Sequence, residues 1–190
     1  MEQERPHHRG RLRRLPSGHY RGLSWVHWTM NVEGRATGWL DALHHARLRE
    51  ALCHALARES LVCAAYCLMP DHAHFLIGGL RAGSDQRPAI KIFRRAWNEI
   101  LKTAAQPAGL ALQAYDHVLS DKGRSREEFE TMRGYILENP VRGKRVESWR
   151  DWAYSGCLVV GYPDLDPRQE EFHERFWRIY YERVKKGAEG

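Results

Sequence analysis

The sequence predicts an α+β fold: a ferredoxin-like (RRM-like) sandwich in which an antiparallel sheet carries helices on one face, with a further C-terminal helix. Three observations lead there. Strand and helix signals follow one another as strand, helix, strand, strand, helix, strand, the order that builds such a sandwich. The second and third strand runs are separated only by a short step containing Pro70-Asp71, so they pair as a hairpin. In the third run, His72-Ala73-His74-Phe75-Leu76-Ile77, a period of two puts His72, His74 and Leu76 on one face and Ala73, Phe75 and Ile77 on the other. The helices are expected under Phe75 and Ile77, with the histidine face left open.

Residues 1–17 hold Arg5, Arg9, Arg11, Arg13 and Arg14 among Pro and Gly, with no apolar period. They read as a flexible basic arm, either a solvated tail or one that reaches into a nucleic-acid groove. Trp25, Val26, Trp28 and Thr29 mark a first strand from Leu23 to Met30, closed by Asn31 and Gly34. A helix follows from Asp41 to Arg58, with Leu43, Leu48, Leu52 and Leu56 near one stripe. Leu61 to Leu68 and His72 to Ile77 form the hairpin. A second helix, Ala89 to Ala104, turns Ile92, Ala96, Trp97 and Ile100 inward and Lys91, Arg94, Arg95 and Lys102 outward. Its basic side is either a phosphate rail or a charged solvent face. Tyr115 to Leu119 is a fourth strand, and Ser125 with Glu128 forms a capping box that opens a helix running to Glu138. Asn139-Pro140 stops that helix, because a residue before proline avoids the α region. From Arg168 to Lys186, Phe172, Phe176, Ile179, Tyr180 and Val184 make a helical stripe suited to docking on the domain. The expected organisation is an arm at 1–17, a domain at 18–160 and a helical extension at 161–190.

The 190 residues suffice for one well-cored domain. No run of about 18 apolar residues exists and the basic N-terminus lacks a secretion signal's apolar stretch, so a cytoplasmic location with no membrane partner is expected. Four cysteines without paired spacing indicate neither a disulfide framework nor a zinc ribbon. A formal net charge of +6 suits a polyanionic partner.

Two imidazoles on alternate residues of a strand point the same way, roughly 7 Å apart by strand rise, and can converge on one metal ion. A half-exposed strand whose polar face carries histidines is the plainer reading. Tyr135 and Asn139 are four residues apart, so they project from one side of their helix. Together with the histidines they make a functional set: two nitrogen ligands (His72, His74), an amide oxygen (Asn139) and a nucleophilic phenol (Tyr135). Such a site leaves positions for phosphate oxygens and is compatible with Mg²⁺ or Mn²⁺. His27 and His117 compete as ligands, as partners that fix a ligand's tautomer, or as plain histidines. Arg142, Lys144 and Arg145 follow the tyrosine helix, where they could hold phosphates.

These residues carry a resemblance. Tyr66 to Ile77 resembles the His-hydrophobic-His segment of single-tyrosine HUH transposases, and Tyr135-Ile136-Leu137-Glu138-Asn139-Pro140-Val141-Arg142 resembles the Tyr-Ile-x-x-Asn-Pro-Val-Arg motif of the REP-associated tyrosine transposases. The likeness spans residues 18 to 160, including Tyr115-Asp116-His117 and Trp152-Ala153-Tyr154-Ser155. It implies a bacterial, nucleoid-associated enzyme that cuts and rejoins single-stranded DNA beside hairpins, leaving a 5′-phosphotyrosine and a free 3′-hydroxyl. By position, Tyr135 resembles the nucleophile, and His72, His74 and Asn139 resemble the metal ligands. A monomer acting in cis is expected, a homodimer being the other arrangement in related enzymes. The sequence departs from the pattern at Asp71, where Asn is more usual, at Ala73, and at Gly143-Lys144-Arg145 in place of Ala-Gly-Leu. A non-catalytic single-strand binder that uses the open sheet, and a relaxase or replication initiator, are the alternative functions.

Overall fold

The computed structural model of the chain describes residues 15–105, 107–119 and 126–188. Arg13, Arg14 and the capping Ser125 lie outside them. The expected elements form in the expected order: β1 (Trp25–Asn31), α1 (Ala42–Arg58), β2 (Leu61–Leu68), β3 (His72–Gly79), α2 (Gln86–Leu101), β4 (Tyr115–Val118) and α3 (Arg126–Leu137). After a break at Glu138 come a single helical turn, α4 (Asn139–Arg142), a fifth strand, β5 (Ser155–Leu158), and the terminal helix, α5 (Phe172–Ala188). The strands lie in the order β4-β1-β3-β2-β5, and each neighbouring pair is antiparallel. This is the sandwich expected, with β5 added beside β2.

Side-chain parity divides the interior in two. Val26, Trp28 and Met30 of β1 and Ala73, Phe75 and Ile77 of β3 pack against Leu48, Leu52 and Leu56 of α1 and Phe93, Trp97 and Leu101 of α2. The inward registers of both helices differ from expectation. Leu43 is 63% exposed, and α2 turns Ala89, Ile90, Phe93, Trp97 and Leu101 inward while Ile92 is 36% exposed. Of two adjacent apolar stripes on α2, the one with the larger aromatic area is buried, as burial energy proportional to apolar area requires.

Trp25 and Leu76, with the opposite parity, sit in a second core with Phe129, Ile136 and Leu137 of α3 and Phe172, Phe176, Ile179 and Tyr180 of α5. The face expected to be open is therefore covered: α3 and α5 pack on it and His27 and His74 are buried, while His72 is half-buried and Tyr115 and His117 are exposed. β2 is buried along its whole length. A register shift between Cys63 and Ala65 changes its parity, so that Ala64 and Ala65 both join the second core.

Two indoles pin the turn between β2 and β3: Trp39 Nε1 donates to Pro70 O at 2.6 Å, and Trp152 Nε1 donates to Leu68 O at 2.9 Å. The start of α2 is held by Asp85, whose carboxylate accepts from Arg87 N at 3.0 Å, Arg87 Nη2 at 2.7 Å and Arg21 Nε at 3.0 Å. The Arg87 side-chain hydrogen bond, with help from the Arg87 backbone and Arg21, holds the Asp85 carboxyl at about 2 against the opposing effect of burial.

Removing this cap with Asp85→Ala is expected to lower stability at neutral pH by about 1–2 kcal/mol, measured by urea denaturation. Because the folded pKa is depressed, the contribution is present above the unfolded value of about 3.9 and is lost as pH falls towards about 2. Parent and variant should therefore converge in acid. A difference that stays constant from neutral pH to strong acid would count against the assignment.

Candidate active site at the histidine end of the sheet

β1 and β3 put Thr29 directly opposite His74, and β4 puts His117 opposite His27. Residues directly opposite in an antiparallel pair share a face, so His27, Thr29, His72, His74, Tyr115 and His117 line one surface. His74 and His27 are 6% and 8% exposed. The Nδ1 of His74 lies 3.0 Å from His27 Nε2 and 3.0 Å from Thr29 Oγ1. His72 directs its own Nδ1 to Asp71 Oδ1 at 2.6 Å, and Asp71 Oδ2 accepts from Arg35 Nη1 at 3.0 Å. With each Nδ1 engaged, Nε2 is the remaining ring nitrogen of both His72 and His74.

Burial, followed by the charges of His27, His72 and Arg142, lowers the His74 pKa to about 3 against the raising effect of a hydrogen bond accepted by Asn139; burial and then His117 lower His27 to about 4. Both rings are neutral at neutral pH, the form in which imidazole donates to a metal. Burial pushes the Asp71 carboxyl up, but the hydrogen bond and charge of His72, with the charge of Arg35, outweigh it and hold Asp71 below the usual carboxylate range.

α3 brings Tyr135 onto this surface. Ile136 and Leu137 turn into the second core, which leaves Tyr135 on the outer side, 46% exposed. Its ring centroid is 5.9 Å from those of both His27 and His74, edge-on to each. Arg142 of α4 places its guanidinium carbon 4.0 Å from the Tyr135 ring centroid, a cation–π distance. Asn139, 8% exposed, folds back on the end of α3: its Nδ2 donates to Tyr135 O at 3.0 Å and Ile136 O at 3.2 Å. That satisfies carbonyls the helix end leaves orphaned and leaves the amide oxygen for other contacts, among them the hydrogen bond with His74.

Tyr135, His72, His74, Asn139 and Arg142 thus come together. Lys144 and Arg145 sit exposed in the turn just after α4. Lys91, Arg94 and Arg95 are on α2, in the layer on the far side of the sheet, where Arg94 Nη2 donates to Ala111 O at 2.6 Å. Sequence reasoning missed Thr29 and Arg35 altogether, since their roles arise from cross-strand register and from a loop that returns to the hairpin. Asp71 was legible as part of the hairpin step and as a departure from the family pattern, without the role of its carboxylate.

Among the described residues no group of three or more His, Cys, Asp or Glu side chains is arranged to hold a metal ion. The candidate donor set is two neutral imidazoles and one amide oxygen. It fits a divalent ion that keeps positions for outside oxygens, because the Asn139 donor and both Nδ1 atoms already have partners.

The chain matches no family model and no curated protein. It is similar to a solved structure described as a REP-associated tyrosine transposase bound to a REP hairpin, with a TM-score of 0.63 and 17% identity over 90% of this chain and 88% of that one. At that identity the likeness establishes a common fold. Two further structures match with lower TM-scores: a "putative transposase" from Deinococcus radiodurans R1 (0.43, 17% identity, 70% of this chain and 96% of that one) and a bacterial tRNA(His) guanylyltransferase-like protein in complex with GTP (0.45, 13% identity, 87% and 93%).

Asn139→Ala removes two hydrogen bonds to carbonyls at the end of α3 and should destabilise the protein by about 1–3 kcal/mol. Asn139→Asp should cost more than Ala, since it turns a carboxylate towards carbonyl oxygens at the negative end of a helix. Thermal unfolding of the three proteins checks the order; an Asp variant as stable as the parent would show that the amide hydrogens are not needed.

Proposed function

We propose that this chain, which shares the fold of a tyrosine transposase structure, is a metal-dependent enzyme that cuts and rejoins single-stranded DNA next to hairpins. The observation that carries the reading is the placement of a half-exposed phenol, Tyr135, against the His74 ring of its own chain with the Arg142 guanidinium over its ring. In this reading Tyr135 Oη attacks the scissile phosphorus. An Oη–P bond forms and the P–O3′ bond breaks, so a 5′-phosphotyrosine and a free 3′-hydroxyl result. The phenolic proton ends, net, on the released 3′ oxygen. The reverse attack by a 3′-hydroxyl restores the phenol and a continuous strand, and the covalent link conserves the bond energy meanwhile.

His72, His74 and Asn139 would hold a divalent ion, Mg²⁺ or Mn²⁺, which when bound supplies positive charge to polarise the phosphate. Arg142, Lys144 and Arg145 hold phosphates flanking the cut and keep the strand in line with Tyr135. Lys91, Arg94 and Arg95, on the opposite layer, can contact only DNA remote from the cut. The hairpin bound by the structurally similar transposase supports a hairpin as the DNA feature recognised. Because Tyr135 already meets the histidines of its own chain, a monomer acting in cis is the assembly this reading favours.

Incubation with a labelled hairpin oligonucleotide and Mn²⁺, followed by denaturation, should give label that migrates with the protein. Tyr135→Phe should lose the adduct while its DNA affinity changes little, and excess EDTA should abolish cleavage by the parent. An adduct that persists in Tyr135→Phe assigns the nucleophile elsewhere; a nick without any adduct in the parent indicates hydrolysis by water. A mixture of Tyr135→Phe and His72→Ala should stay inactive, whereas restored cleavage would mean that tyrosine and histidines come from different chains.

A further inference from the structure

The two candidate ligand histidines are supported by unlike partners. His74 Nδ1 faces neutral groups, the Thr29 hydroxyl and the His27 ring, each at 3.0 Å. His72 Nδ1 faces a carboxylate, Asp71 Oδ1, at 2.6 Å, the length of a charge-assisted hydrogen bond. The carboxylate is itself fixed. Its other oxygen accepts from Arg35 Nη1 at 3.0 Å, and its backbone carbonyl accepts from Val32 N at 2.9 Å. The turn on which it stands is closed by Met69 N donating to His72 O at 2.7 Å and by the Trp39 indole on Pro70 O. Arg35 holds its place with φ +56°, in the left-handed region that non-glycine residues occupy only when surrounding structure enforces it.

We propose that Asp71 is a positioning residue for metal binding: anchored by Arg35, it fixes the proton of His72 on Nδ1, turns Nε2 towards the ion and makes His72 the stronger of the two imidazole donors. The inference rests on the metal-dependent reading of the site. An anionic acceptor on Nδ1 pushes electron density into the ring and raises the basicity of Nε2. The neutral partners of His74 do this less. Asp71 does not touch substrate in this scheme; it acts through His72. Its identity therefore matters to the ion first and to DNA only afterwards.

The experiment uses the full chain, the variants Asp71→Asn, Asp71→Ala and Arg35→Ala, and Mn²⁺ alone as the probe, titrated by calorimetry. Asp71→Ala should weaken Mn²⁺ binding by about 10- to 100-fold. Asp71→Asn should lose less, because an amide oxygen can still accept from Nδ1, and Arg35→Ala should lie between parent and Asp71→Ala. Circular dichroism should be alike in all four proteins, and hairpin binding in EDTA alike in the parent and the two Asp71 variants. Nitrogen-15 spectra of the metal-free protein at about pH 8, above the ordinary imidazole range, give a second readout: His72 should be the Nδ1–H tautomer in the parent and a mixture in Asp71→Ala. No Mn²⁺ binding by the parent overturns the metal reading and this inference with it. Parent binding that Asp71→Ala leaves unchanged, or an Nε2–H tautomer at His72 in the parent, overturns the inference alone.

Discussion

The indole of Trp25 lies across Gly78 on the neighbouring strand, so close that a β-carbon at Gly78 would come within 2.6 Å of the ring. Only glycine permits this approach. Around the indole pack Phe129 of α3 at 4.8 Å and, from α5, Tyr180 at 5.3 Å and Phe176 and Trp177 at 6.2 Å between centroids. Aromatic pairs of this kind contribute about 0.5–1.5 kcal/mol each beyond the area they bury. The Tyr180 hydroxyl adds a hydrogen bond to Gly79 O at 3.1 Å, which ties α5 to β3 directly. Since α3 bears Phe129 at one end and Tyr135 at the other, the cluster that anchors Phe129 also determines where Tyr135 falls. The nucleophile candidate is positioned by packing along α3, from Phe129 to its own neighbours Ile136 and Leu137.

The same arrangement gives the histidine end of the sheet its polar character. Three imidazoles meet there, with His74 centred 5.1 Å from His27 and 5.0 Å from His72. Burial, reinforced by neighbouring positive charge, keeps His27 and His74 neutral, so each carries a lone pair. Positive charge stands at its margin, in Arg35 and Arg142, and not within it.

Strand pairing and the central motifs were legible because they are local: the alternation in His72 to Ile77 fixes parity, and the Pro70-Asp71 step fixes the hairpin. The tyrosine and asparagine could be paired because a spacing of four is local too, and it survives the break at Glu138 that puts them on α3 and α4. β5 could not be read, since four residues that include a glycine become a strand only through pairing with distant β2. Nor could the partners of the site, because Thr29 reaches His74 through register and Arg35 reaches Asp71 through a loop. The inward face of α2 was misread where two apolar stripes lay side by side and only tertiary packing could choose between them. The cover that α5 gives the histidine face needed the Trp25 cluster, whose members come from three separate stretches of chain.

Because Tyr135 and the histidines belong to one folded unit, their meeting is governed by the folding equilibrium of that unit and not by encounter between molecules. The local concentration of the phenol at the histidine pair is set by the fold, far above what any cellular abundance of a second chain could supply. Dilution changes how many such sites exist without changing how complete each one is. In the function proposed for it, a protein built this way would remain competent when only a few copies are present, a condition under which an arrangement that borrows its tyrosine from a partner would fall apart into halves.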